Sequence, residues 1–208
     1  MSYKTPLLQG KQVRLEPLVL GHADALAAAA EGDRELYCWS PVPLGKTEAA
    51  QYIEEALAAK EAGTAMPFTV VRESDGSTIG STRFCYIERW SWPPGHALHK
   101  RATPDACEIG YTWYAHSAIR TAVNTESKLL MLTYAFETWE VFRVCLHTDV
   151  RNERSRAAIE RIGGRFEGIL RAHRMAADYI ARDSARYSIV AAEWPVVKQK
   201  LVERLSRG

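Results

Sequence analysis

Residues 107–125 constrain the fold of this chain more than any other stretch. Apolar Cys107 and Ile109 flank Glu108, which is the alternation of period two that a half-buried β-strand requires. After a short polar loop, apolar residues recur at steps of three and four through Leu132, as in an amphipathic helix. One strand face is predicted to carry Cys107, Ile109, Tyr111 and Trp113. The solvent face of the helix is predicted to carry Glu126, Lys128 and Glu137.

The junction between this loop and helix predicts an anion-binding site. The first N–H groups of a helix have no partner within it and lie at the positive end of its dipole, which favours a phosphate or pyrophosphate. We expect Asn124 or Thr125 to cap the helix. No proline lies between His116 and Thr125, so every backbone donor of the loop is expected to be available to a ligand.

Length and composition favour one domain over residues 1–208. A chain of 208 residues that is 47% hydrophobic can bury one substantial core. Its net charge of +2 predicts no strong attraction to nucleic acid or to an anionic membrane. The sequence shows no signal peptide, no apolar run that would span a bilayer and no close pairing among its four cysteines. These features predict a cytoplasmic protein in a reducing compartment.

The rest of the chain alternates between strand and helix patterns without an internal repeat. Strands are predicted for residues 12–17, 68–72, 78–87, 142–150, 169–175 and 185–192. Helices are predicted for residues 23–30, 47–62 with Thr47 as cap, 152–162 with Asn152 as cap, and 194–208. The Asp75-Gly76 pair predicts a hairpin turn. Residues 88–106 form an irregular segment, longer than an ordinary connection, that is either a substrate-side loop or mobile.

Several of these segments resemble one protein family. The order of elements, the EIGY strand, the loop before TESKLLMLTYAFE, and RNERSRAAIERIGGRFEGILR resemble the GNAT superfamily of acetyl-CoA-dependent N-acetyltransferases, and within it the RimJ/RimL type of ribosomal-protein N-terminal acetyltransferase. The resemblance spans about residues 13–194 and leaves residues 88–106 unmatched. It implies a single α/β (α+β) domain whose mixed, mostly antiparallel sheet is splayed at the middle strands and flanked by helices.

The resemblance implies acetyl-CoA as co-substrate and no metal ion. It assigns residues 119–125 to the pyrophosphate of coenzyme A and the splayed strands to its pantetheine arm. The residues expected to bind coenzyme A are Trp113, Tyr114, Arg120, Thr121, Ala122, Val123, Asn124, Thr125 and Asn152. Three positions depart from the loop signature of the family, including Ala122 where the family has glycine. Alanine there predicts weaker binding if a positive φ is needed, and Asn124 partly compensates.

Two residues are candidates for the chemistry. An amine is usually protonated at neutral pH and must lose a proton to attack, so Glu108, with a pKa raised by partial burial, is the candidate base. A solvated glutamate at a strand end is the alternative.

The Asn152-x-x-Ser155 pattern resembles one in which the serine protonates the departing thiolate, and this role is implied for Ser155. A hydroxyl that only bonds its own helix terminus is the alternative. A backbone N–H near Trp113 is implied as donor to the thioester carbonyl.

Aromatic and basic residues bear on the acceptor. Trp39, Trp90 and Trp92 are candidates for the walls of the acceptor pocket, although core packing is the more frequent role of a tryptophan. Seven arginines against three glutamates in residues 151–174 suit the 3′-phosphate of coenzyme A or an acidic substrate, and equally a solvated face. The His96-x-x-His99 pair lacks further ligands at zinc spacing, so no metal site is expected.

The sequence therefore predicts an N-acetyltransferase that moves the acetyl group of acetyl-CoA directly to a primary amine. The acceptor is a small molecule or a peptide: a protein N-terminus, a small amine and an amino-acid conjugate all fit. The alternative is a non-catalytic coenzyme A-binding or interaction module with a degenerate pyrophosphate loop. Neither nucleic acid nor membrane is an expected partner, and a homodimer is left open.

Overall fold

A twisted mixed sheet organises the part of the chain that the computed structural model describes, residues 4–176 and 178–207. Its strands are β1 Leu8–Gln9, β2 Val13–Pro17, β3 Ala65–Arg72, β4 Thr78–Glu88, β5 Ala106–Tyr114, β6 Arg143–Asp149, β7 Arg165–Met175 and β8 Ala181–Val190. Their order across the sheet is β1-β2-β3-β4-β5-β6-β8-β7. Neighbours run antiparallel except β5 and β6, which are parallel. The predicted mixed, mostly antiparallel sheet is confirmed.

Helices cover both faces of the sheet. The α-helices are α1 Ala23–Ala29, α2 Gly45–Glu61, α3 Val123–Thr133, which continues as a π-helical turn over Tyr134–Thr138, α4 Glu153–Arg161 and α5 Trp194–Ser206. Short 3₁₀ turns cover Leu20–His22, Arg34–Tyr37, His116–Ala118 and Ala191–Glu193. Successive strand residues point to opposite faces. On β4, Ser81 contacts Tyr52 of α2 and Thr82 contacts Met131 of α3, so α2 and α3 lie on opposite sides.

The middle of the sheet splays, as predicted. β5 and β6 pair only at Ala106↔Arg143, Cys107↔Val144 and Glu108↔Cys145. Beyond Glu108, residues 109–114 of β5 stay paired with β4 alone. Two strands that share a short ladder and then diverge leave a cleft between them, and the cleft begins at Glu108.

A β-bulge in β5 breaks the alternation that the sequence predicts. Ser81 of β4 pairs with Trp113, and Arg83 pairs with Gly110, so β5 holds one residue more than β4 over this span. Tyr111 has a φ of 51° and is 41% exposed. Ile109 pairs with Phe84 and Trp113 pairs with Ser81, and these two residues of β4 point to opposite faces. The expectation that Ile109, Tyr111 and Trp113 share one face is therefore wrong.

Two charged residues predicted to be exposed on α3 are buried instead. Glu126 is 6% exposed and Lys128 is 5% exposed. The Glu126 carboxylate accepts the backbone N–H groups of residues 11–13, which ties the turn between β1 and β2 to the helix. Lys128 reaches under the sheet, where Nζ donates to Thr112 Oγ1 at 2.6 Å. Helix periodicity does not reveal which face a distant turn or strand will cover.

Two predicted helix caps are also wrong. The helix α3 begins at Val123, and its N-cap residue Ala122 has no side-chain hydrogen bond, so neither Asn124 nor Thr125 caps it. The helix α2 begins two residues before Thr47, and its N-cap residue is Leu44. By contrast, Asn152 caps α4 as predicted, accepting the Ser155 N–H at 3.0 Å.

Within residues 4–176 and 178–207, no helix combines the length and apolar character needed to cross a membrane. The four cysteines are unpaired.

Candidate active site

The cleft between the diverging strands has a volume of about 740 Å³. It brings together most of the residues that the sequence proposes for the site: Trp39, Glu108, Trp113, Tyr114, Arg120, Thr121, Asn124, Thr125, Asn152 and Ser155. Ala122, Val123, Trp90 and Trp92 do not line it. Because its walls come from β5, α3, β6 and α4, the cleft exists only once the middle of the sheet has formed.

The loop before α3 presents a group of unpaired backbone donors. Within the described part of the chain, the N–H groups of Arg120, Thr121, Ala122, Asn124 and Thr125 have no acceptor. Val123 is the exception, because its N–H donates to the Thr121 hydroxyl at 3.3 Å. Unpaired N–H groups at the positive end of a helix form a site for an anion such as a pyrophosphate.

The backbone angles of this loop show that its conformation does not require glycine at position 122. Ala122 has φ −72° and ψ −10°, an ordinary right-handed conformation that any residue adopts. The left-handed residue is Arg120, with a φ of 62°. Alanine in place of the family's glycine therefore imposes no backbone strain at position 122.

Glu108 is a buried carboxylate held by two partners. It is 4% exposed and accepts two hydrogen bonds from the Arg174 guanidinium, at 3.2 and 3.0 Å. His147 Nδ1 lies 2.9 Å from Glu108 Oε2. Burial raises the pKa of Glu108, but the hydrogen bonds from His147 and Arg174 outweigh burial, so the pKa is lowered overall. The expectation of a raised pKa is wrong because the Arg174 guanidinium and the His147 N–H both donate hydrogen bonds to the carboxylate.

His147 is a functional candidate that the sequence reasoning missed. Since Glu108 is ionised and accepts their hydrogen bond, Nδ1 of His147 carries the proton, and in the neutral form of the ring this leaves a lone pair on Nε2. Nε2 is buried and has no hydrogen-bond partner in the described residues, and His147 lines the cleft. The sequence places His147 on a strand face, but only the register Glu108↔Cys145 brings it to Glu108.

Ser155 lies in the first turn of α4 on the cleft side. It lines the cleft together with Ala158, Ile159 and Ile162, the helical face that the sequence predicts. Its backbone N–H is bound by the Asn152 side chain. Its hydroxyl forms no hydrogen bond with the described residues, so the alternative in which it only bonds its helix terminus is not observed.

Lys128 lines the cleft from the α3 side. Its Nζ donates to the hydroxyls of Thr112 and Thr82, at 2.6 and 3.4 Å, and no carboxylate of the described chain lies within ion-pair distance of it. Burial lowers the pKa of Lys128 to about 7, since the charged form loses its hydration.

The three tryptophans proposed for the acceptor pocket separate into two locations. Trp39 lines the cleft, with the Arg151 guanidinium 4.3 Å from its ring centroid. Trp90 and Trp92 lie instead in the segment between β4 and β5. There the Trp90 ring stacks on the Phe142 ring, with 5.3 Å between the ring centroids. The Asp105 carboxylate accepts hydrogen bonds from the backbone N–H of Trp90 and from the indole Nε1 of Trp92. These contacts hold both rings at the end of the sheet away from the cleft, so their proposed role is not supported by their position.

The described residues contain no group of three or more histidine, cysteine or carboxylate side chains that could hold a metal ion.

Comparison with known proteins agrees with this geometry. A family model described as "Acetyltransferase (GNAT) domain" matches residues 12–165. The Bacillus subtilis protein named "Putative ribosomal N-acetyltransferase YdaF" is 38% identical over 87 residues, which is 42% of this chain and 46% of YdaF, so the match spans just under half the length of that relative.

Solved structures share the fold over nearly the whole chain. A GCN5-related N-acetyltransferase from Brucella melitensis is 26% identical, with a TM-score of 0.83 over 98% of this chain and 86% of that one. Mycobacterium smegmatis RimJ in complex with CoA-disulfide is 23% identical, with a TM-score of 0.75 over 92% of this chain and 88% of that one, a likeness of fold. The chain belongs to the GNAT family of acetyl-CoA-dependent acetyltransferases, as its sequence resemblance predicts.

Proposed function

We propose that this protein transfers the acetyl group of acetyl-CoA directly to a primary amine. The observation that carries this proposal is the content of one cleft, which is lined by the Glu108–His147 pair and by four residues with unpaired backbone N–H groups: Arg120, Thr121, Asn124 and Thr125. The first can accept a proton and the second can hold a pyrophosphate. The name of YdaF, a putative ribosomal N-acetyltransferase, favours an amine of a ribosomal protein, such as its N-terminus, as the acceptor, and a small amine or an amino-acid conjugate fits the same chemistry.

The cleft residues fit coenzyme A. The unpaired N–H groups of residues 120–125 would hold the pyrophosphate, and Arg154, Arg161 and Arg204, which line the cleft, offer cations for the 3′-phosphate. When bound, acetyl-CoA supplies an acetyl group activated as a thioester. No acyl-enzyme is required.

The loop without glycine is expected to bind acetyl-CoA as well as a glycine loop does. Since Ala122 already has an ordinary φ, Ala122→Gly should change the Kd for acetyl-CoA by less than about twofold. Calorimetric titration with acetyl-CoA, and with CoA for comparison, measures this. A gain of tenfold or more in the variant would contradict it, and no binding by either protein would remove the basis of the proposed function.

We place the proton acceptor at His147 and make Glu108 its partner. A carboxylate whose pKa is lowered by Arg174 and His147 is a weak base, whereas the free Nε2 of a neutral imidazole is a good one. Glu108 then fixes the tautomer of His147 and stabilises the imidazolium that forms when the amine gives up its proton.

Ser155 is proposed to protonate the departing thiolate. We expect Ser155→Ala to lower kcat by about 10²-fold, the scale of a lost proton donor, with an unchanged Kd for acetyl-CoA. Thiol release over a panel of primary amines measures turnover. An unchanged kcat would show that another group, or water, supplies this proton. If acetyl-CoA binds but no amine in the panel causes thiol release, the non-catalytic module becomes the better description.

A further inference from the structure

One cation in the cleft has no role in the chemistry described above. Arg182 of β8 lines the cleft, yet its side chain forms no ion pair or hydrogen bond with the described residues. Its Nε is buried without an acceptor. Arginines that are partly withdrawn from water in this way normally pair with a carboxylate or a phosphate.

The carboxylates near Arg182 already have partners. Glu108 is bound by Arg174 and His147, and the Asp149 carboxylate accepts from Nε and Nη2 of Arg151, at 2.9 and 2.8 Å. Burial lowers the pKa of Arg182, and the nearby charge of Arg174 lowers it further. The cleft therefore holds a guanidinium that has neither an ion pair nor a hydrogen bond from the described residues.

Strand register places this charge beside the proposed proton acceptor. Arg182 pairs directly with Arg174 across β7 and β8, and directly opposed residues share a sheet face. From this pair, the Arg174 side chain extends to Glu108. The Arg182 side chain has the same length and lies on the same face, so it reaches the same region.

This face is not the one that the loop before α3 adjoins. Glu108, which His147 contacts, pairs with Cys85 of β4. Cys85 lies on the same face of β4 as Ser81, which is the face that α2 covers. Arg186 pairs with His147, and Arg182 lies four residues along β8, on the same face as Arg186. The charge is therefore on the face of the sheet that α2 covers, opposite α3 and the donors assigned to coenzyme A.

We propose that Arg182 binds an oxyanion of the acceptor, so that the cleft selects amines that carry a carboxylate close to the reacting nitrogen. This inference rests on the proposed function of the cleft and adds a substrate class to it. The carboxylate has two sources: an acidic side chain near a peptide N-terminus, or the α-carboxylate of a free amino acid. A guanidinium fork matches either one through two parallel hydrogen bonds.

The test compares acceptors that differ only in this charge. Peptides beginning Ala-Asp are compared with peptides beginning Ala-Asn, and alanine is compared with alanine amide, by the rate of thiol release. We expect the charged member of one pair to have a kcat/KM higher by about tenfold or more, the scale of a charge-assisted hydrogen bond. The pair that shows the difference identifies the source of the carboxylate.

Variants connect the preference to Arg182. Arg182→Gln should abolish the preference through KM, while Arg182→Lys should retain part of it. Arg171→Gln is the matched control, because Arg171 is exposed on the neighbouring strand β7 and does not line the cleft. An unchanged Kd for acetyl-CoA in each variant verifies the fold.

A binding measurement separates this inference from the proposed function. Calorimetric titration with the Nα-acetylated forms of the same peptides needs no turnover. If no amine is acetylated but the acidic peptide binds more tightly and loses this advantage in Arg182→Gln, the proposed function fails and the anion site stands. If wild-type protein treats acidic and neutral ligands alike, or if Arg171→Gln removes the preference as fully as Arg182→Gln, the anion site is wrong.

Discussion

Replacing His147 with glutamine is expected to lower kcat by about 10²- to 10⁴-fold, the contribution of a general base, while the Kd for acetyl-CoA stays within about twofold. The glutamine amide can still donate to Glu108 but cannot accept a proton at neutral pH. The loss should therefore appear in turnover and not in cofactor binding. Thiol release under saturating acetyl-CoA, together with calorimetric titration, measures the two quantities separately.

The partner of His147 provides the control for this experiment. Glu108→Gln should also lower kcat, because it removes the charge that stabilises the imidazolium. The double variant should be little worse than His147→Gln alone, since residues that act as one unit are not additive. Near-normal turnover in His147→Gln with a large loss in Glu108→Gln would show that Glu108 accepts the proton itself.

Replacing Lys128 with methionine is expected to stabilise the protein at pH 7 and to flatten the dependence of stability on pH. The pKa of Lys128 falls from 10.5 to about 7 on folding. Between these values the unfolded chain binds one more proton than the folded chain, so the free energy of unfolding rises with pH by up to about 1.4 kcal/mol per pH unit. Below pH 7 both states are protonated, and folding bears the whole cost of burying the charge.

Methionine suits this position because neither hydroxyl that the lysine contacts is left without a hydrogen-bond partner. The hydroxyls of Thr82 and Thr112, which lie 2.7 Å apart, can still bond to each other. Urea unfolding at several pH values between 6 and 9 compares the wild type with Lys128→Met and with Lys200→Met, an exposed lysine on α5 that should leave the pH dependence unchanged. A variant less stable than wild type at every pH would mean that the ammonium group stabilises the fold.

The elements around the cleft could be predicted from the sequence because their signals are local. The alternation through Cys107 and Ile109 identifies β5, the steps of three and four through Leu132 identify α3, and Asn152 marks the start of α4. Each pattern involves residues within two or three turns of one another, and burial of one face is enough to produce it. The unpaired N–H groups of the loop before α3 were predictable for the same reason, since they follow from any helix start.

The partners of the site residues could not be predicted in this way. Glu108 and His147 are 39 positions apart, and Glu108 and Arg174 are 66 apart. Their contacts depend on the parallel register of β5 with β6 and on the pairing of β8 between β6 and β7. The reversal of the expected pKa shift at Glu108 follows directly from these distant donors.

By itself, then, the sequence determined the strand, loop and helix that form the cleft, their order, and the family to which they belong. Only the tertiary structure decided that Glu126 and Lys128 are buried, that Trp90 and Trp92 lie away from the cleft, and that His147 joins Glu108 at its apex. The physical reason is that periodicity records which face of an element is buried. The neighbours on that face are set by strand register and sheet order, which bring together residues far apart in the chain.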